Sequence, residues 1–404
     1  WQVETSRSCL RVRAAMFARY ITSVSRAISS QDGAQLRELL HINNPDASAA
    51  VHEARQMNRQ WNPEKPCQRL PQPWSVCVAA HARCMADMQA GEAGEAYNAI
   101  LAAVQPFIKA FQEDQTAWMV VPIGGFARTL RAVADAADEE LKRQGKQPEK
   151  LADCLDRLRK LFQAAQQAAG NKAKRMATLD LINVQFKMFF QLGNIRLCAS
   201  LERAVKSPAF LPLSSFPAAQ LITYNYYIGR LAIFDEDYNT AVEVLTDALR
   251  RCPPGAHGNR CKLLKYLVPT QLLLGRMPRG DLLQRHGLQQ YEPIAYAMRT
   301  GEVGLLESTL EANQHRFIHE GMYLLVEKLK YATYRRLMKR VQLLHAESNP
   351  GKGFQLPLVL VERALTWQQS EVEADEVECV VANLIARKYV KGYISHKAQV
   401  VVLS

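Results

Sequence analysis

Glycine and proline are scarce in this 404-residue chain, 20 and 18 residues respectively, which excludes a collagen-like or low-complexity disordered polymer. No apolar run approaches the ~20 residues that a membrane-spanning helix requires, so no membrane partner is expected. The nine cysteines form no CxxC pair and their number is odd, which argues against a disulfide framework or looped zinc ligands. Scattered thiols of this kind fit a reducing compartment, nucleus or cytosol. Catalytic signatures are missing too. There is no GxSxG elbow, no dinucleotide fingerprint and no evident pair of catalytic carboxylates. The stretch "NPGKGF" lacks the length and the Ser/Thr of a phosphate-binding loop and reads as a linker. Neither an enzymatic activity nor a cofactor is expected.

What the chain does have is helix-forming sequence and positive charge. Hydrophobic residues make up 48% and charged residues 22%, with a formal net charge of +12, which favours polyanionic partners such as nucleic acid, acidic proteins or anionic lipid. The excess is spread along the chain: both halves are net positive, so it is not a basic tail. Residues 1–18 begin without Met and are arginine-rich. They read as a leader of uncertain origin, better explained by a truncated or mis-joined coding sequence than by a transit peptide.

From Tyr20 onward, amphipathic helical segments alternate with short breaks. Residues 43–75, with Pro45, Pro63, Pro66, Pro71 and Pro73, read as an irregular connector. "WSVCVAAHARCMADMQAGEAGEAYNAILAAVQPFIKAFQED" gives two helices around a Gly-Glu-Ala-Gly turn, and further helix pairs break at "QGKQPEK" and "QLGNI". Paired helices recurring every 30 to 45 residues predict an α-solenoid. One repeat carries a specific pattern. In "YNYYIGRLAIFDEDYNTAVEVLTDALRRCPP", Gly229, Tyr238, Ala241, Leu245, Ala248 and Pro253 stand at tetratricopeptide spacing, with small residues where two antiparallel helices approach.

The last 75 residues change character. A long helical stretch, broken near Gly321, leads into "KLKYATYRRLMKRVQLLH". At ~100° per residue this places Tyr331, Tyr334, Leu337, Met338, Val341 and Leu344 on one side. Lys328, Arg335, Arg336, Lys339 and Arg340 fall on the other. A Gly/Pro loop, the helix "LPLVLVERALTWQQ", an acidic start at Glu371, Glu373, Asp375, Glu376 and Glu378, and the helix "VECVVANLIARKYV" follow. The chain closes with Tyr393, Ile394 and "VVVL" around the bend formed by Gly392 and "SHKAQ". Three helices and a β-hairpin spell a winged helix. The fold class expected is all-α, with a tetratricopeptide-like solenoid followed by a winged-helix subdomain and a small β-hairpin. The expected domains are a solenoid over 19–215, a tetratricopeptide-like bundle over 216–325 and the winged helix over 326–404.

That combination resembles the PCI domain of proteasome-lid, signalosome and initiation-factor subunits. The stretches "ITYNYYIGRLAIFDEDYNTA", "YLVPTQLLLGRMP", "MYLLVEKLKYATYRRLMKRVQLL" and "DEVECVVANLIARKYVKGYISH" are similar to the PCI domain-containing protein 2 family, whose members belong to the transcription-and-export complex TREX-two. The likeness runs from about Tyr20 to Leu403; residues 1–18 have no counterpart. It implies a nuclear, pore-associated (and also cytoplasmic) subunit of a hetero-oligomer that couples transcription to mRNA export. Implied partners are a large helical scaffold with its own winged helix, a small acidic disordered protein of the DSS/SEM type, and RNA or DNA held without sequence specificity. The alternative is a purely structural PCI scaffold of a lid-like, signalosome-like or initiation-factor-like assembly.

Two clusters are candidate nucleic-acid contacts: Lys328, Arg335, Arg336, Lys339 and Arg340 on the basic helix, and Arg387, Lys388, Lys391 and Lys397 around the last helix and wing. Each also fits an ordinary solvated, salt-bridged face. The acidic start of the third helix suits a helix dipole but repels the phosphates that a sequence-reading helix must approach. Backbone contact, not base readout, is therefore expected. Between 250 and 299 lies a third basic zone, where Arg260, Lys262 and Lys265 could receive an acidic partner or form plain inter-repeat surface. Cys77, His81 and Cys84 share one helix face, yet tetrahedral zinc needs a fourth ligand, so a core cluster is expected. His315 and His319 lack the HExxH order and read as surface or interhelical residues.

Overall fold

The computed structural model describes residues 2–57, 61–168, 170–368 and 373–404, with side chains from residue 16 on. Glu371 of the acidic run therefore lies outside the described residues, as do the side chains of the arginine-rich leader, whose backbone opens a helix over Gln2–Ser29. The chain forms two units, Trp1–Tyr227 and Ile228–Ser404.

Among its described residues the first unit forms helices and no strand. Helices Trp74–Ala90 and Ala93–Leu101 meet at Gly91, which takes the left-handed conformation (φ +80°) that glycine adopts without steric cost. Here the two-helix expectation needs correcting, because Val104–Glu113 is a separate third helix. The supposed connector is corrected as well: Pro45–Met57 is a 13-residue helix. Pro45 occupies its first turn, where its missing N–H would have had no helical partner, and the Asn44 side chain accepts the Ala47 N–H at 2.8 Å.

Charged side chains inside this unit close helix ends. Asp138, 1% exposed, accepts the backbone N–H groups of Glu149, Lys150 and Leu151 at 2.8–2.9 Å. It thereby caps the following helix, Lys150–Gln166, from a distance. Lys174, also buried, donates to the carbonyls of Gln112 and Asp114 and lies 4.8 Å from the Phe111 ring. Cys77, His81 and Cys84 are core residues. Burial pushes the Cys77 thiol up to about 12. The same desolvation, chiefly, pulls His81 down to about 4, and its Nδ1 stands 3.4 Å from the Tyr20 hydroxyl.

The second unit begins within the helix Ala218–Phe234, which pairs with Tyr238–Arg251. A Cβ on Gly229 would stand 2.5 Å from Leu245 Cγ. The glycine is what lets the Leu245 side chain into the helix pair, and Ala241, Leu245 and Ala248 are fully buried. The tetratricopeptide letters are thus packing letters. After His257–Leu273, Tyr291–Thr300 and Val303–Ala312, the stretch around Gly321 (φ +69°) resolves into Gln314–His319 and Tyr323–Glu327. His315 and His319 are exposed.

The winged helix comprises three helices, Leu329–Ser348, Leu358–Trp367 and Ala374–Ala386. They are called here the basic, middle and third helix. Its sheet has three strands, β1 (Gln355–Pro357), β2 (Gly392–Ser395) and β3 (Val400–Leu403), in the antiparallel order β1-β3-β2. The expected hairpin is β2–β3; β1 is an addition, and Leu356 belongs to it rather than to the middle helix. Leu356 and Ile394 both pair with Val401, and Leu356 and Val401 are wholly buried against Leu337, Val377, Val381 and Leu384. Gly392 opens β2 rather than forming the bend: a Cβ there would lie 2.2 Å from the Val402 carbonyl.

Candidate nucleic-acid interface

The basic helix presents its cations in two different states. Leu337 and Met338 are buried and Tyr331, Tyr334 and Val341 pack beside them. Leu344, expected on that side, is 66% exposed, because the helix has by then run past the core. On the outer side, Arg336 Nε donates to the Arg299 carbonyl at 2.9 Å and Arg340 Nη1 to the Thr300 carbonyl at 2.7 Å. Both acceptors belong to the end of helix Tyr291–Thr300, so the two guanidinium groups serve as its C-terminal cap. Arg335 and Lys339, exposed on the same helix, make no ion pair among the described residues.

Lys328 is placed differently from the sequence expectation. It precedes the helix as its N-cap residue and lines one cleft with Tyr331 and Tyr334, without Arg335. Its Nζ bonds Glu236 Oε1 at 2.6 Å and the Tyr238 hydroxyl at 3.1 Å. Partial burial would lower the Lys328 pKa; the bonds to Glu236 and Tyr238 outweigh it and hold it above the ordinary lysine value. Glu236 moves down in answer, mainly through the Lys328 hydrogen bond. Arg387 lies over the Tyr331 ring, 4.4 Å from its centroid, and Tyr389 stacks behind at 6.1 Å.

Around the wing, Lys388, Lys391 and Lys397 are exposed and none forms an ion pair among the described residues. Lys388 sits in a left-handed conformation (φ +64°) just after the third helix. Three acids of that helix are engaged in the fold, while Asp375 is exposed. Glu373 and Glu376 form a reciprocal capping box, and Glu378 accepts from His396 at 2.9 Å. In the 250–299 zone, Arg260 donates to the Leu249 and Cys252 carbonyls and Lys265 pairs with Glu320 at 2.8 Å. Lys262 alone of that trio is exposed and without a partner among the described residues.

Two apolar residues at this site went unnoticed in the sequence. Phe234 and Leu324 are 67% and 72% exposed and line one cleft with Tyr331, Tyr334 and Arg387. Each sits at a helix terminus, where periodicity no longer says which way a side chain faces. The acidic turn "FDEDY" directly after Phe234 was the available signal.

With this geometry in hand, known proteins can be compared. A family model of the PCI domain matches residues 310–404, and one of PSMD3-like N-terminal TPR repeats matches residues 149–291. The chain is 34% identical over 393 residues to Enhanced ethylene response protein 5 of Arabidopsis thaliana, covering 95% of this chain and 93% of that protein. It is 34% identical over 395 residues to PCI domain-containing protein 2 of Danio rerio, covering 96% and 95%. Protein CSN12 homolog of Mycosarcoma maydis is 29% identical over 341 residues, 78% of this chain and 74% of that protein.

Proposed function

Because the chain belongs to the PCI domain-containing protein 2 family, we propose that it is a non-enzymatic subunit of a nuclear, pore-associated complex that couples transcription to mRNA export. In this reading it binds a large helical scaffold and a small acidic protein, and its winged helix touches RNA or DNA through the backbone. The observation that carries the nucleic-acid part is the set of unpaired cations on one module: Arg335 and Lys339 on the basic helix, Lys388, Lys391 and Lys397 around the wing. Exposed cations without a fixed acceptor can release condensed counterions, and no base-reading element is needed for that. The acidic partner is assigned to Lys262, the one of the trio Arg260, Lys262 and Lys265 that is exposed and without a partner among the described residues.

The purely structural reading draws on a specific observation as well. Arg336, Arg340, Arg387 and Lys328 are all engaged within the chain, so four of the nine residues of the expected platform are architecture. Reversing Arg335 and Lys339 to Glu separates the two readings. Binding of the full chain, with its co-purified partners, to a labelled oligonucleotide should weaken, and the slope of log K against log salt should shallow by about 2. Unchanged affinity and slope would favour the structural reading.

A further inference from the structure

The cleft beside the basic helix has the composition of a site for a planar, anionic ligand. It encloses about 670 Å³, within the range of small-ligand pockets. Its apolar lining includes Phe234 and Leu324, both largely exposed. Large apolar side chains held in water forgo the gain of burial, and a ligand would recover it. Three cations line the same cleft, Lys328, Lys330 and Arg387. Lys328 is paired with Glu236 at 2.6 Å and Lys330, more loosely, with Glu307 at 4.0 Å, while Glu327 is the second acid of the lining. Aromatic rings and a guanidinium already stack here, Arg387 on Tyr331 and Tyr331 on Tyr389, so the surroundings of a further ring are preorganised. Asn383 adds an amide at the lining.

We propose that this cleft admits one unpaired base of a single-stranded nucleic acid, with Phe234 and Arg387 as stacking partners and Lys330 near the adjoining phosphate. The inference rests on the nucleic-acid reading above and deepens it by naming the strand state. Bases in a duplex are already stacked and cannot enter, whereas aromatic platforms with interleaved cations hold single strands irrespective of sequence. The unpaired cations Arg335 and Lys339 touch only phosphates and act on single strand and duplex alike. Two faces of one helix thus divide the work: one attracts the polyanion, the other selects for unpaired bases.

The test uses the full chain, a labelled 15-nucleotide RNA carrying 2-aminopurine, and the same strand annealed to its complement. Phe234→Ala should weaken single-strand binding roughly tenfold and abolish the fluorescence quenching of the stacked probe. Duplex binding should stay as it was, and Phe234→Trp should restore both signals. Phe234 is exposed, so an unchanged melting curve verifies folding. If Phe234→Ala leaves single-strand binding and quenching intact while the Arg335→Glu, Lys339→Glu double variant weakens both ligands, the cleft assignment is wrong and the nucleic-acid reading stands. If neither RNA binds the wild-type chain, both fall. Loss of a co-purifying protein from Phe234→Ala, with RNA binding unaltered, would make the cleft a protein-docking surface and overturn the proposal.

Discussion

The two units use one device under opposite conditions. In the first, beside an exposed cap such as Asp32 at the start of Gly33–Leu39, two ionisable side chains that close helix ends lie inside: Asp138 under the start of Lys150–Gln166, and Lys174 under the end of Val104–Glu113. In the second, the same task falls to side chains nearer the solvent, Arg336 and Arg340 at the end of Tyr291–Thr300 and Arg260 at the end of Tyr238–Arg251. Among the described residues, every buried Asp, Lys or His belongs to the first unit. A buried charge cannot be released without leaving orphaned backbone groups. A surface guanidinium can, at small cost. The first unit is thereby rigidly committed, and the second keeps its charges where partners can reach them.

The sharpest way to break this contrast is Asp138→Ala. It strands three N–H donors at once, that of Leu151 buried and those of Glu149 and Lys150 partly so, so denaturant unfolding of the first unit should lose on the order of 3 kcal/mol. A loss under 1 kcal/mol would mean the cap is dispensable. Comparable in size is the pH response of His81, whose folded pKa lies near 4 against an ordinary 6.5. The unfolded state binds the extra proton, so this stability is complete above pH 6.5 and drains away as pH falls towards 4, on the order of 3 kcal/mol in all. His81→Gln should flatten that limb of a pH-resolved unfolding series; a limb that survives must arise elsewhere. Smallest is the surface pair. Arg336→Ala with Arg340→Ala should cost about 1 kcal/mol, while Arg335→Ala with Lys339→Ala should stay within about 0.5 kcal/mol. Equal costs would erase the distinction between capping and available cations.

Much of the fold could be read in advance because its signals were local. Gly229, Ala241 and Ala248 announce a close helix pair, since small residues at that spacing let two antiparallel helices approach. The closing hairpin follows from β-branched letters beside a glycine that its partner strand crowds. What escaped was decided by neighbours far along the chain. Leu356 lies in an apolar run that suits helix or strand, and only pairing with Val401 settles it. Pro45 looked like a breaker because its position in the first turn depends on where Asn44 caps. The candidate site was half legible for the same reason. Counting Lys and Arg singled out one helix, yet nothing local to "YRRLMKRVQ" tells that Arg336 and Arg340 face two free carbonyls while Arg335 and Lys339 do not.

The carbonyls at the end of helix Tyr291–Thr300 have a further consequence. Arg336 takes that of Arg299, Arg340 that of Thr300, and the Gln368 side chain both accepts from Val303 N–H and donates to the Gly301 carbonyl. The turn between two repeat helices is thus completed by side chains from the basic helix and from just beyond the middle helix. A stack of repeats ends where something covers its last interface, and here the winged helix is that terminator. It cannot be excised as an independent cassette without reopening the array, so a fragment ending before Leu329 would expose the seam that sets how long the stack is.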